Sequence, residues 1–146
     1  MGVNAQSFDN TIRTNVNHKE GLFYNSSEKL YSGDITSYYD NGNKMFHYKV
    51  VNGVKTGQAI VYHTNGVIKE KGAYLNNEKH GKWVSMSQDG KITGQIEYLN
   101  GKKHGTWVIL DENGNRRVVM VYNNGEKTGN WKSWDENGKL TEDRNF

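Results

Sequence analysis

The sequence predicts an all-β fold: a single-layer antiparallel β-meander of about five 24-residue hairpin repeats, with an N-terminal cap. Three observations support this: a fixed period in the glycines, Asn-Gly pairs spaced for hairpin turns, and no sustained helical periodicity. Only 34% of the residues are hydrophobic, 12% are aromatic, and 17 Gly stand against 0 Pro. We therefore expect a thin structure in which large rings supply most of the buried surface.

The glycines recur in two columns at a 24-residue period between Glu28 and Phe146. The first column is Gly33, Gly57, Gly81, Gly105 and Gly129, and the second is Gly42, Gly66, Gly90, Gly114 and Gly138. Self-similarity at this period is typical of repeat arrays. We divide the chain into an N-terminal segment, residues 1–27, and a repeat array, residues 28–146, within one domain.

Two sets of turns separate two short strands in each copy. Asn-Gly and Asp-Gly favour type I′ hairpin turns because both central residues need positive φ. One set ends on the second glycine column, and the other joins successive copies at Asn52-Gly53, Asn76-Asn77, Asn100-Gly101 and Asn124-Gly125. We predict type I′ turns at both sets, with about ten strands in all. In the first glycine column, Gly57, Gly81, Gly105 and Gly129 mark a second tight backbone position.

The aromatic residues also form columns. Trp83, Trp107 and Trp131 occur once per copy, as do Tyr74, Tyr98 and Tyr122. Such columns favour packing ladders. Another column contains Tyr38, Tyr62 and Trp134, which we expect to stay accessible, because exposed aromatics beside polar groups are typical of protein-binding surfaces.

Residues 1–27 lie outside the repeat register. The stretch GLFYNSS, from Gly21 to Ser27, indicates a short extra strand, and we expect it to cover the first sheet edge. Val3, Asn4 and Ala5 have the sizes that a signal peptidase reads, although the hydrophobic region before them is absent. Two interpretations stay open: a start near a mature N-terminus, or an ordinary polar start.

The repeat resembles the MORN repeat, and more closely its longer bacterial variant in the YwqK-like antitoxin family. The matching segments are Tyr98 to Trp107 with Glu112-Asn113-Gly114, and Tyr122 to Trp131 with Glu136-Asn137-Gly138. The resemblance implies a single-layer sheet of hairpins. It also implies a bacterial protein that is the presumed immunity partner of a toxin, whereas eukaryotic members are linked to membranes, phosphoinositides and scaffolding.

No pattern of residues predicts catalysis, a metal site or a cofactor. His80 and His104 share a column, but two strands separate them by about 10 Å, too far for one ion. Adjacent strand residues such as Asp111 and Glu112 point to opposite faces, so they make no catalytic pair. With 0 Cys, thiolate chemistry is excluded. We therefore expect no enzyme, no catalytic residues, no metal and no cofactor.

The lysines form a column beside the turns between copies: Lys55, Lys79, Lys103 and Lys127, with Lys82 and Lys102 nearby. We predict a basic rim, and take Lys79, Lys102, Lys103, His104 and Lys127, with Tyr38, Tyr62 and Trp134, as candidate partner-binding residues. The other interpretation is that these lysines only keep the array soluble. A net charge of +3 is near balance, so nucleic acid is not an expected ligand.

These observations favour a non-enzymatic protein-binding module, in the family's terms an antitoxin-like or immunity protein that masks a partner toxin. The alternative is an exported cell-envelope or scaffold repeat protein that contacts lipid or glycan. Anionic lipid and edge-to-edge self-association stay open as further partners. We expect an exported, periplasmic or envelope location in preference to the cytoplasm.

Overall fold

The computed structural model describes residues 16–146, so the prediction for Val3 to Ala5 lies outside the described residues. The strands are β1 Val16–Lys19, β2 Leu22–Asn25, β3 Gly33–Tyr38, β4 Lys44–Val51, β5 Val54–Tyr62, β6 Ile68–Leu75, β7 Glu78–Met86, β8 Ile92–Leu99, β9 Lys102–Lys103, β10 Gly105–Leu110, β11 Arg116–Asn123, β12 Glu126–Trp134 and β13 Leu140–Asn145. Within residues 16–146 there is no helix long and apolar enough to cross a membrane.

Strands β3 to β13 form one antiparallel sheet in which neighbours in the chain are neighbours in space. Strand β9 pairs with β8, as β10 does, so β9 and β10 are two parts of one strand interrupted at His104. Among the described residues the sheet therefore follows a path of ten strands. The predicted all-β antiparallel meander is confirmed.

The turns between copies have the predicted type I′ character. Both central residues have positive φ, for example 47° at Asn100 and 78° at Gly101. The turns at 52–53, 76–77, 100–101 and 124–125, which we call the turn row, are also linked to one another. The backbone N–H of Gly101 donates to the Lys79 carbonyl at 2.9 Å, and that of Gly125 donates to the Lys103 carbonyl at 2.7 Å.

The type I′ prediction is wrong for the hairpin tips of the second glycine column. Gly66 has a φ of 86°, but Asn65 before it does not have positive φ. His63 N–H donates to the Val67 carbonyl and Gly66 N–H donates to the His63 carbonyl, which makes a three-residue loop. The Asn65 side chain bonds outward instead: its Oδ1 accepts from Val67 N–H at 3.1 Å, and its Nδ2 donates to the Gln88 carbonyl at 2.9 Å. Its amide thus links neighbouring tips.

Four glycines of the first column, Gly57, Gly81, Gly105 and Gly129, lie at irregularities in the sheet. Lys71 is opposite Val84, whereas Ala73, two residues further, is opposite His80, four residues back. The extra residues include Gly81, which has a φ of 70°. The register shifts similarly where Gly57 and Gly129 lie, and Gly105 follows the interruption between β9 and β10.

The N-terminal hairpin β1–β2 contacts the sheet through β2. Phe23 N–H donates to the Gly53 carbonyl at 2.9 Å, so β2 joins the turn row. The Phe23 ring packs against Ile35 and Val50, which are 0% and 1% exposed. Covering these side chains places the hairpin against one face of the sheet. Of the described strands, β3 is the last of its sheet, and neither strand of the N-terminal hairpin pairs with it.

The core lies on one face of the sheet. Cross-strand pairs place Ile35 beside Tyr48, and Tyr48 beside Ala59. Strand alternation puts Val50 on the same face. Trp83, which is 1% exposed, belongs to this face too, because its ring lies 5.2 Å from that of Tyr74. The other face, which carries His47 and Ile60 as a directly opposed pair, is half-buried to exposed.

Candidate binding face

A ladder of aromatic rings runs along the face that holds the core. Ring centroids lie 4.5 Å apart for Phe46 and Tyr48, and 5.7 Å apart for Tyr48 and Tyr74. The ladder continues from Trp107 to Tyr122 at 5.9 Å, Tyr122 to Trp131 at 5.3 Å and Trp131 to Phe146 at 4.7 Å. These separations suit offset and edge-to-face contacts between rings.

The lysine column lies within this ladder, beside the turn row as predicted. Each ammonium group lies over a ring: Lys55 Nζ is 4.1 Å from the centroid of Tyr74, Lys79 Nζ 4.0 Å from Trp83, Lys103 Nζ 3.8 Å from Trp107 and Lys127 Nζ 4.5 Å from Trp131. Each also lies within 5.5 Å of a second ring, at 5.2, 5.4, 5.0 and 5.2 Å respectively. We call the sheet face with these four lysines and their rings the ladder face. Cation–π attraction holds each ammonium over the rings, so these lysines belong to the ladder face beside the turn row.

Most of this lysine charge has no acidic partner. Lys79 Nζ lies 2.6 Å from Glu70 Oε1, an ion pair that is about a quarter exposed on both sides. Among residues 16–146, no carboxylate oxygen lies within 4.0 Å of the Lys55, Lys103 or Lys127 ammonium. Lys127 is exposed, whereas Lys55 and Lys103 are half-buried. The ladder face therefore carries positive charge that the described chain does not neutralise.

Burial and neighbouring charges shift the pKa values of several side chains on the ladder face. Burial lowers the pKa of Lys55, and repulsion from Lys79 lowers it further. Burial raises the pKa of Tyr48 to about 12, and the neighbouring Tyr74 and Glu70 act in the same direction. Burial also raises the pKa of Tyr74 and Tyr98, again with a contribution from Glu70. These tyrosines keep their protons well above neutral pH.

Strong alkali should destabilise the protein through Tyr48. Its pKa is about 12 in the folded chain and 10 when unperturbed, so the folded state holds more protons between these pH values. The stabilisation is complete below pH 10 and is lost as pH rises through 12. We expect the urea midpoint to fall above pH 10, and Tyr48→Phe to reduce that fall. An unchanged fall in the variant, or a phenolate absorbance titration that loses no late-titrating group, would contradict the prediction.

The structure divides the candidate triplet of Lys102, Lys103 and His104. Lys103 is opposite Tyr98 and belongs to the ladder face, whereas Lys102 is opposite Leu99 and is exposed. Because successive strand residues alternate, Lys102 points to the other side of the sheet. His104 is half-buried between β9 and β10, and its Nδ1 lies 3.4 Å from the Asn124 backbone nitrogen.

The other aromatic candidates lie on the opposite face. Tyr62 follows Val61, a ladder-face residue opposite Glu70, so alternation turns Tyr62 away. Trp134 follows Ser133 in the same way, and Tyr38 holds the equivalent position at the end of β3. All three aromatic side chains are half-buried. They therefore do not form one site with the lysine column.

Glu70 is the ladder-face residue that the sequence analysis missed. It lies opposite Val61 on one side and Ser85 on the other, and it pairs with Lys79. Strand alternation could have identified Glu70, because residues 70, 72 and 74 of β6 share a face. Tyr74 belongs to an aromatic column, so Glu70 must lie on the same face as that column.

Polar side chains elsewhere have local roles. Asp111 Oδ1 accepts the backbone N–H groups of Asn113 and Asn115, both at 2.9 Å, and so closes a hairpin tip. Asp135 does the same for Asn137 and Lys139. Within residues 16–146, no group of three or more histidine or acidic side chains is placed to hold a metal ion.

Comparison with known families gives a match at two places. The model of the MORN repeat variant matches residues 55–76, which cover most of β5 and all of β6, and residues 127–146, which cover most of β12 and all of β13. No curated protein matches the chain. MORN repeats are non-catalytic and generally bind proteins or membranes. Two segments of this chain are thus similar to a repeat whose general role is binding.

Proposed function

We propose that this protein is a non-enzymatic protein-binding module and that its partner docks on the ladder face. The carrying observation is the combination of aromatic rings with lysines that lack acidic partners, at Lys55, Lys103 and Lys127. Rings supply the apolar contact area that protein interfaces favour, and the unpaired cations supply electrostatic complementarity that orients a partner.

The specific form that we propose is an antitoxin-like role, in which the rigid sheet covers and masks a partner toxin. The resemblance of the repeats to the YwqK-like family supports this form. The turn row supports it physically, since the turns at 76–77, 100–101 and 124–125 each donate a backbone hydrogen bond to a strand of the preceding hairpin, which ties neighbouring copies into one surface.

Photo-crosslinking from the two faces tests the proposal. A benzophenone amino acid replaces Tyr98 on the ladder face in one variant and Tyr62 on the opposite face in a second variant. We expect a defined protein adduct from the Tyr98 position in the native host, identified by mass spectrometry, and none from Tyr62. Adducts from Tyr62 alone, or lipid adducts without protein, would contradict the proposal.

A further inference from the structure

The four lysines of the ladder face recur at a regular interval across the sheet. Lys55 is in β5, Lys79 in β7, Lys103 in β9 and Lys127 in β12, so each copy contributes one ammonium for every two strands of the path. Neighbouring strands lie about 4.8 Å apart, which sets a spacing of about 9.6 Å between successive lysines. The row therefore presents positive charges at a fixed period, perpendicular to the strands.

The arrangement of rings and ammonium groups restricts the chemistry of a ligand. Each ammonium lies 3.8–4.5 Å from the centroid of its nearer ring. A base or sugar that stacks on these rings has to displace the lysines and lose the cation–π attraction. An anionic group that reaches the ammonium from solvent displaces nothing. The face is thus suited to carboxylates, and the absence of acidic partners at Lys55, Lys103 and Lys127 leaves three such positions among the described residues.

One peptide conformation places carboxylates at this interval. A polyproline II helix has three residues per turn and rises about 3.1 Å per residue, so every third side chain returns to the same side after about 9.3 Å. In a β-strand, by contrast, every second side chain points to the same face, so side chains on that face are about 6.7 Å apart. That spacing does not match the interval between successive lysines.

We propose that the ladder face binds an acidic segment of a partner protein in polyproline II conformation, with Asp or Glu at every third position facing the lysine row. This inference rests on the proposed function and names the chemistry of the partner. The segment lies across the strands from β5 to β12. Glu70 already neutralises Lys79, so the ligand gains least at that position.

Peptide binding tests the spacing directly. The probe is a fluorescent ten-residue peptide with Glu at every third position and Pro-Ala between, and its control has the same composition with the Glu residues adjacent. We expect the spaced peptide to bind more tightly by fluorescence anisotropy. Lys103→Gln should weaken its binding roughly two- to fivefold, the effect of losing one exposed ion pair. Lys102→Gln is the matched control, because it removes the same charge from the other side of the sheet and should leave affinity unchanged.

Glu70→Gln provides a test that a damaged fold cannot imitate. The change frees Lys79 and removes a like charge from the face, so the spaced peptide should bind more tightly, roughly two- to fivefold. Urea midpoints of all three variants check that they are folded. Weaker or unchanged binding to a folded Glu70→Gln variant overturns the inference.

Three further results would separate the possible failures. If the control peptide with adjacent Glu residues binds as tightly as the spaced peptide, the proposed spacing of acidic residues at every third position is wrong. Binding to phosphatidylserine vesicles that depends on Lys103, without peptide binding, shows that the anion belongs to a membrane and overturns the inference. If the Tyr98 crosslink to a protein persists while Lys103→Gln and Lys127→Gln leave that crosslink unchanged, the proposed function stands and only the acidic segment is wrong.

Discussion

Replacing Trp83 with alanine is expected to lower the free energy of unfolding by about 3–5 kcal/mol, the usual cost of deleting a buried tryptophan. Trp83 is 1% exposed, its ring lies 5.2 Å from that of Tyr74, and its Nε1 donates to the Ala73 carbonyl at 3.0 Å. The deletion removes both the packing and the hydrogen bond, and leaves a gap between β6 and β7. Urea unfolding followed by far-ultraviolet circular dichroism measures the loss.

The matched control is Trp107→Ala. Trp107 holds the same position in the next copy and also carries a lysine over its ring, but it is only half-buried. Less apolar surface of Trp107 is buried, so the decrease in the free energy of unfolding should be clearly smaller than for Trp83→Ala. Equal losses in the two variants would show that burial does not distinguish these copies.

Gly72→Ala is expected to destabilise the protein by about 1–3 kcal/mol, the range for forcing extra volume into a packed site. A Cβ at Gly72 would overlap the Trp83 ring, in particular its Cδ2, Cε2 and Cγ atoms. Gly72 does not have positive φ, so the loss comes from this overlap and not from backbone strain. Urea unfolding of the single variant gives the magnitude.

A double-mutant cycle checks the cause of the Gly72 effect. In a Trp83→Ala background the overlapping ring is absent, so Gly72→Ala should then cost little or nothing. The same loss in both backgrounds would contradict the steric explanation. The pair also explains why Trp83 is buried: the missing Cβ of Gly72 lets the ring lie against the backbone of β6, and Ile96 of β8 lies opposite Trp83 on the other side.

The Trp83→Ala variant also bears on binding. Lys79 Nζ lies over the Trp83 ring and 2.6 Å from Glu70, so the tryptophan positions the central ion pair of the ladder face. Loss of Trp83 removes one of the two rings that hold this lysine. A partner that uses the ladder face should therefore be weakened by Trp83→Ala even where the variant remains folded.

Turn chemistry made the hairpins predictable. Asn and Gly tolerate positive φ better than other residues, and at the turn row the backbone adopts it at both positions, with 48° at Asn52 and 79° at Gly53. The same dipeptide failed to predict the tips, because a three-residue loop needs only one left-handed residue. At Asn41 and Asn65 the side-chain amide also donates a hydrogen bond to the neighbouring tip.

The position of the lysines was also contained in the sequence, although the rim interpretation overlooked it. A two-residue turn at Asn76-Asn77 makes Leu75 pair with Glu78, and hence Tyr74 with Lys79. Counting outward from the last three turns therefore places Lys79, Lys103 and Lys127 opposite a tyrosine, whereas Lys55 lies opposite Val50. Whether the ammonium then lies over the rings depends on how deeply the face is packed, and a one-dimensional pattern contains no measure of that depth.

Local chemistry thus accounts for the meander: turns need residues that accept positive φ, and alternation divides each strand between two faces. Contacts between distant residues decided the rest. Phe23 packs the hairpin β1–β2 against Ile35 and Val50 on one face of the sheet, a contact that the strand pattern does not reveal. The missing Cβ of Gly72 leaves room for the buried Trp83 ring, and the bulge at Gly81 determines which residues of β6 lie opposite those of β7. These outcomes depend on which side chains pack together in three dimensions. The repeat period of the sequence does not contain that information.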